Sequence, residues 1–148
     1  MSELVVLMGG VCSGKTTLRK RKYQRGYVNV DAADIFLQLG PHEFANRTPA
    51  LQKQLEVNGK KMALDAISAP KNIAIEIIGN NQRQLLQLIN KIKAIGYTVK
   101  IVGVTCSVED AVERNKKRDG ADISSYFIQD YHVQWLIKAI DTVRVGNR

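Results

Sequence analysis

Apolar positions in this chain fall in short clusters set apart by glycine, proline and charged residues, and the spacing inside each cluster predicts an element. Leu4 to Met8 (LVVLM) is a continuous apolar run ending in Gly-Gly, the pattern of a parallel strand buried on both faces. Lys15 to Gln24 contains no Gly or Pro and predicts a helix, closed by Gly26 as its C′ residue. Tyr27 to Asp31 reads as a second strand, Asp34 to Leu39 as a short helix stopped by Gly40-Pro41, and residues 41 to 47 as loop. A long amphipathic helix is predicted from Thr48, with Pro49 at its first helical position, to about Ser68, ahead of Pro70. Asn72 to Ile78 (NIAIEII) is a third strand, ended by Gly79. In Gln82 to Ile95, residues Leu85, Leu88, Ile89, Ile92 and Ile95 recur at helical spacing before Gly96. Tyr97 to Thr105 is strand four, and Ser107 caps a basic helix through Arg118 whose first turn carries Asp110. After a loop at Gly120, a helix from Ser124 to about Ile140 leads into a short fifth strand at Thr142 to Val145.

Strands and helices alternate throughout without a repeat or linker. The expected fold class is therefore α/β: three layers, with a parallel sheet of about five strands, right-handed crossovers and helices on both faces. Ligands in such sheets bind at the carboxyl ends of the strands, here near residues 9, 31, 78, 105 and 146.

Composition narrows the classes without changing this architecture. The 148 residues suit one domain over 1–148 by the usual prior of roughly 100 to 200 residues per domain. With 45% apolar and 24% charged residues, and only 11 Gly and 3 Pro, disordered and collagen-like classes are excluded. The apolar stretches are far shorter than the roughly 20 residues that span a bilayer, and the start MSELVVLMGG lacks a basic n-region, so no membrane partner and a cytoplasmic location are expected. Cys12 and Cys106 show no CxxC or Cys/His spacing and read as reduced thiols. The net charge of +8 favours anionic partners, and much of it comes from Lys15, Arg19, Lys20, Arg21, Lys22 and Arg25 against Glu3 in the first thirty residues.

The most specific chemistry lies in Gly9-Gly10-Val11-Cys12-Ser13-Gly14-Lys15-Thr16, which fits G-x-x-x-x-G-K-[ST] without a mismatch between a buried strand and a helix. Its glycines permit a loop whose amide groups converge on phosphate oxygens, and the helix N-terminus adds positive potential. Lys15 is expected on the β- and γ-phosphates and Thr16 on Mg²⁺, with Thr17 and Arg114 completing the nucleotide-binding set. The motif thus predicts the three-layer P-loop NTPase form of the α/β class, binding ATP and Mg²⁺.

Carboxylates sit at two other strand ends. Asp31 is a candidate N-cap for the helix that follows it. Asp34 is the candidate group to orient and deprotonate an acceptor hydroxyl, since a loose phosphoryl-transfer transition state leaves positioning and charge as the main tools. Glu76 interrupts an apolar strand, where a buried charge costs several kcal/mol unless paired or liganded. Two readings of it stand: a ligand to Mg²⁺ through water or to substrate, and a salt bridge to a basic side chain of the first helix. Arg114, Lys117 and Arg118 share one side of the basic helix, and the segment near 114–124 is a candidate lid whose arginines stabilise the transferring phosphoryl group. The Arg19 to Arg25 cluster has no interleaved aromatic pattern, which makes nucleic acid the less favoured partner. Tyr126, Phe127, Tyr131, Trp135, Leu136 and Ile140 read as core of the last helix, and His42 and His132 receive no role.

With these motifs in place, the chain resembles the P-loop kinases of the zeta-toxin-like group, which also look like polynucleotide 5′-kinases. Val30-Asp31-Ala32-Ala33-Asp34-Ile35-Phe36 is similar to that group's strand-two motif, in which an aspartate precedes a phenylalanine by two residues. The resemblance implies Asp34 as general base, Glu76 as the third-strand acid, Arg114 and Arg118 as lid arginines, and an adenine pocket by Gly146-Asn147. The chain departs from the group at Leu37, where a basic residue is common, and at Glu76-Ile77-Ile78-Gly79-Asn80, which lacks an E-G-T-x-R-like segment. The expected activity is ATP-dependent phosphoryl transfer to a hydroxyl or phosphate of a small molecule or nucleotide. A nucleotide-binding regulatory module, or a polynucleotide 5′-kinase contacting nucleic acid through its basic helices, is the alternative.

Overall fold

The first strand organises the molecule. In the computed structural model, which describes residues 2–9, 14–32, 35, 49–79, 81–104 and 131–146, β1 (Glu3–Met8) is followed by α1 (Lys15–Lys22), β2 (Val28–Asn29) and α2 (Pro49–Ser68). Then come β3 (Ile73–Ile77), α3 (Gln82–Ala94), β4 (Thr98–Gly103) and α4 (Tyr131–Gly146). The strands form one parallel sheet in the order β2-β3-β1-β4. Leu4, Val5, Val6 and Leu7 have no exposed surface, so the unbroken apolar run is explained by burial on both faces of a central strand.

The two faces carry unequal layers. Leu4, Val6, Ile73, Ile75 and Ile77 pack under α2, α3 and α4, through Leu55, Ala63, Leu88, Ile92, Leu136 and Ile140 among others. The opposite face, with Val5, Leu7 and Ala74, is covered by α1 through Leu18, and by Tyr23, Tyr27 and Val102. The connection from β1 to β2 runs past β3 on the α1 face, whereas that from β3 to β4 runs past β1 on the other face. Opposite directions on opposite faces preserve one crossover hand. They also leave a crevice at the carboxyl ends of β1 and β3, the place where open α/β sheets bind ligands.

Local signals account for the helix ends. The Asn81 side chain accepts from the Gln84 amide at 3.0 Å and caps α3. At its other end Gly96 (φ 99°) adopts a left-handed conformation, with Tyr97 N–H on Ile92 O at 3.2 Å and Gly96 N–H on Lys93 O at 3.1 Å. The amide of Ile35 donates to Asp31 O at 3.1 Å, the helical turn expected if Asp31 begins a helix.

Four expectations are corrected. Thr142 to Val145 is not a fifth strand but the continuation of α4: Val133, Leu136, Ile140 and Val143 keep helical spacing against the core, and the Thr142 hydroxyl donates to Lys138 O at 2.8 Å. The sheet has four strands among the described residues. Helix α1 stops at Lys22, short of Gln24, because Tyr23 leaves helical geometry and turns its ring edge-on to Tyr27, 5.5 Å away. Gly26 (φ 82°) serves the turn into β2 instead of closing the helix. Strand two is also shorter than its apolar pattern, pairing only at Val28 and Asn29. The helix expected at 34–39 apart from Ile35, the loop at 41–47, the basic helix at 107–118 and the loop at Gly120 lie outside the described residues.

Helices α2 and α4 meet at a close approach. A Cβ added to Gly59 would stand 2.3 Å from the ring of Trp135, which is 3% exposed. Replacing Gly59 by Ala gains about 1 kcal/mol of helix propensity but overpacks a filled core, at a cost of about 1–3 kcal/mol or more. Gly59→Ala is therefore expected to lower the melting temperature, and Lys60→Ala on the exposed side of the same turn to leave it within about 2 °C; thermal unfolding by circular dichroism measures both.

Candidate functional site

The site begins where α1 starts. Gly14 occupies the N-cap with φ 101°, a left-handed conformation that a side chain would strain, and its carbonyl accepts the Leu18 amide at 3.1 Å. Among the described residues no side chain caps the helix, whose N-terminus carries positive potential. Gly9 lies at the other end of that loop and donates its amide to Ile77 O at 3.2 Å, tying the loop to the end of β3. The Lys15 ammonium donates to Gly9 O, so both ends of the segment are pinned together.

One carboxylate then joins the first helix to the third strand. Glu76 lies opposite Leu7 in the β1–β3 register and two residues from Ala74, on the same side of the strand, which puts its side chain on the α1 face. Thr16 Oγ1 donates to Glu76 Oε1 at 2.6 Å and Arg19 Nε donates to Glu76 Oε2 at 2.7 Å. The Arg19 and Glu76 side chains are only 7% and 9% exposed, so this is a buried, charge-assisted pair and not a surface contact. Of the two readings of Glu76 from the sequence, the salt bridge to the first helix is present, and the same carboxylate also accepts the Thr16 hydroxyl. Thr16 and Arg19 reach it together because residues three apart share one side of a helix.

A third residue was missed from the sequence. His132, in the first turn of α4, is buried, and its Nε2 lies 2.7 Å from the backbone oxygen of Glu76. The reason is a gap in the sheet. The Ile77 carbonyl points to β1, so the Glu76 carbonyl one residue earlier points towards β2, but β2 pairing ends at Asn29 and Ala74. The imidazole takes the place of the absent strand donor. A carbonyl only accepts, so Nε2 carries the proton, and Nδ1 has no hydrogen-bond partner among the described residues. A lone histidine with no motif around it gave no sequence signal; the helical spacing of Val133 and Leu136 hinted only that it starts a buried face. Below it, Gly79 (φ 84°) approaches Met8 so closely that a Cβ would stand 2.5 Å from the sulfur.

The structure thus brings together Gly9, Gly14, Lys15, Thr16 and Glu76 from the sequence-derived set and adds Arg19 and His132. Thr17 is exposed on α1. Gly10, Val11, Cys12, Ser13, Asp34, Arg114 and Arg118 lie outside the described residues, as do the candidate lid and Asn147. Glu76 and Thr16 supply hard oxygen donors of the kind Mg²⁺ takes, and among the described residues no cluster of three His, Cys, Asp or Glu side chains competes as a metal cage. No helix of the described residues is long and apolar enough to cross a membrane.

Comparison with known proteins agrees with this fold. A chain of the Pnkp1/Rnl/Hen1 complex superposes with a TM-score of 0.59 at 17% identity over 76% of this chain and 38% of its own length. A chain of the Pnkp1/Rnl/Hen1 RNA repair complex gives a TM-score of 0.61 at 17% identity, over 98% of this chain and 46% of that one. At this identity the likeness is one of fold, and the chain spans less than half the length of either. No curated protein matches the sequence. The family described as an AAA domain, AAA_33, matches residues 4–140. With nearly its whole length in that match, and a parallel four-stranded sheet of the P-loop NTPase kind, the chain belongs to the AAA_33 family.

Proposed function

We propose that the protein is a phosphotransferase that uses ATP and Mg²⁺ to phosphorylate a hydroxyl or phosphate of a small molecule or nucleotide. The observation that carries this reading is the Thr16–Glu76 hydrogen bond of 2.6 Å beside Lys15, since it sets a hydroxyl and a carboxylate at the start of a phosphate-loop helix. Lys15 would exchange the Gly9 carbonyl for β- and γ-phosphate oxygens, a stronger, charge-assisted contact. Thr16 would offer its oxygen lone pair to the metal while its hydroxyl proton stays in the hydrogen bond it donates to Glu76 Oε1. Mg²⁺, when bound, supplies charge neutralisation at the β- and γ-phosphates. Asp34 would take the proton of an acceptor hydroxyl as the new O–P bond forms and the bond to the β,γ-bridging oxygen breaks, releasing ADP. Arg114 and Arg118 would neutralise the group in transit, as the resemblance to zeta-toxin-like kinases implies. The likeness to chains of an RNA repair complex, together with the charge of +8, supports a second reading in which the acceptor is the 5′-hydroxyl of a polynucleotide.

Four variants and one mixture test this. With Mg²⁺-ATP and a pool of nucleosides, mononucleotides and 5′-hydroxyl oligonucleotides, Lys15→Ala is expected to abolish ATP turnover. Asp34→Asn should stop transfer while calorimetry still records ATP binding. Absence of any binding heat in the wild type, or unchanged transfer by Asp34→Asn, contradicts the respective role. His132 is the positioning residue: His132→Leu leaves the Glu76 carbonyl unpaired, at a cost of about 1–3 kcal/mol, and should raise the Mg²⁺ concentration for half-maximal turnover several-fold. His132→Gln keeps an N–H donor within reach and should return both values towards the wild type. Equal Mg²⁺ dependence in the leucine variant and the wild type removes His132 from that role.

A further inference from the structure

The far end of α1 has a different chemistry. Its last turn holds Arg19, Lys20, Arg21 and Lys22, followed by Arg25. Arg19 turns inward to Glu76, but Lys20, Arg21, Lys22 and Arg25 are exposed and form no ion pair among the described residues. The negative end of the helix dipole favours cations here, yet it amounts to about half a charge, far less than this cluster. Folding also brings in residues that are remote in sequence. Lys100 of β4 sits over the ring of Tyr23, 5.6 Å from its centroid, and Tyr23 meets Tyr27 edge-on. The nearby carboxylate of Glu3 accepts the Tyr27 hydroxyl at 2.7 Å and forms no ion pair among the described residues. Its hydrogen bond with Tyr23 pushes the Lys100 ammonium above its ordinary value, so it stays charged. The sequence places Tyr23 between Lys22 and Arg25; the tertiary structure sets Tyr27 against its ring and adds Lys100 as a fifth exposed cation.

We propose that Lys20, Arg21, Lys22, Arg25 and Lys100, arranged around Tyr23 and Tyr27, form a surface that binds the phosphodiester backbone of a nucleic-acid strand. Ammonium and guanidinium groups spread over a helix end suit an anion whose charge repeats along a flexible chain. The outward face of α1, with Thr17, Lys20 and Arg21, presents no apolar wedge for insertion into a bilayer. Helix α1 is eight residues, about 12 Å, long, so this surface is remote from Lys15, and a strand held there leaves the triphosphate site open. The choice of partner leans on the nucleic-acid reading of the acceptor, but the surface and the nucleotide site are tested separately.

The experiment follows fluorescence anisotropy of labelled single-stranded RNA and DNA of about 20 nucleotides across a salt series, together with ATP calorimetry on the same proteins. Three or four phosphate contacts predict an affinity loss of roughly 10- to 50-fold between about 50 and 200 mM salt. The double substitution Lys22→Glu with Arg25→Glu should weaken binding at least tenfold and flatten the salt slope, while ATP binding changes less than twofold. Lys53→Glu with Lys60→Glu, an equal change of charge on exposed positions of α2, should cost less than threefold. No oligonucleotide binding at low salt, or equal losses in the two double variants, overturns the proposal. So does capture of phosphatidylserine vesicles in place of oligonucleotides. None of these outcomes bears on the kinase reading, which stands or falls with ATP binding and transfer.

Discussion

The Glu76 carboxylate is the interaction on which the site depends. A charge on a central strand, nine-tenths buried, is tolerable only if both oxygens are satisfied, and here each takes one charge-assisted or hydroxyl hydrogen bond from α1. The bond therefore fixes α1 against β3 in one rotation and one register along its axis. That rotation directs Thr16 towards the carboxylate and leaves Lys15 at the mouth of the loop. A hydrophobic contact alone, such as Leu18 on Val5 and Leu7, would hold the helix on the sheet without specifying its angle.

Sheet order explains why this happens at the β1–β3 boundary. The two strands adjoin, but the chain leaves them over opposite faces, so among the described residues no connection crosses their carboxyl ends. The short pairing of β2 then exposes one more backbone group, the Glu76 carbonyl, and α4 returns from the far end of the chain to meet it through His132. The same strand residue is held by its side chain from one layer and by its main chain from the other. The three-layer architecture thereby becomes part of the site rather than only its support.

Helix α1 divides its labour by polarity. Its start is a positive end with no side-chain cap among the described residues, preceded by a glycine-rich sequence, a combination suited to phosphate. Its end is a negative pole surrounded by exposed cations, suited to a longer anion. The two ends lie about 12 Å apart along the helix, so the proposed small-ligand and polymer sites do not overlap.

Periodicity and composition determined the α/β class, the boundaries of β1, α2 and α3 to within about two residues, and the phosphate-loop motif, because each rests on local preferences: an apolar run, a proline at a helix start, a cap, a glycine that must turn left-handed. They also singled out Glu76, since a charge inside IAIEI demands an explanation wherever the strand is placed. Tertiary structure decided the rest. It chose between strand and helix at Thr142–Val145, where a β-branched sequence reads as strand but the buried face of α4 continues through Val143. It selected Arg19 from five neighbouring basic residues as the buried partner, gave His132 a function, and gathered Lys100 with Tyr23 and Tyr27. Each of those outcomes depends on which groups meet across the chain, a matter of long-range packing that local spacing along the sequence does not encode.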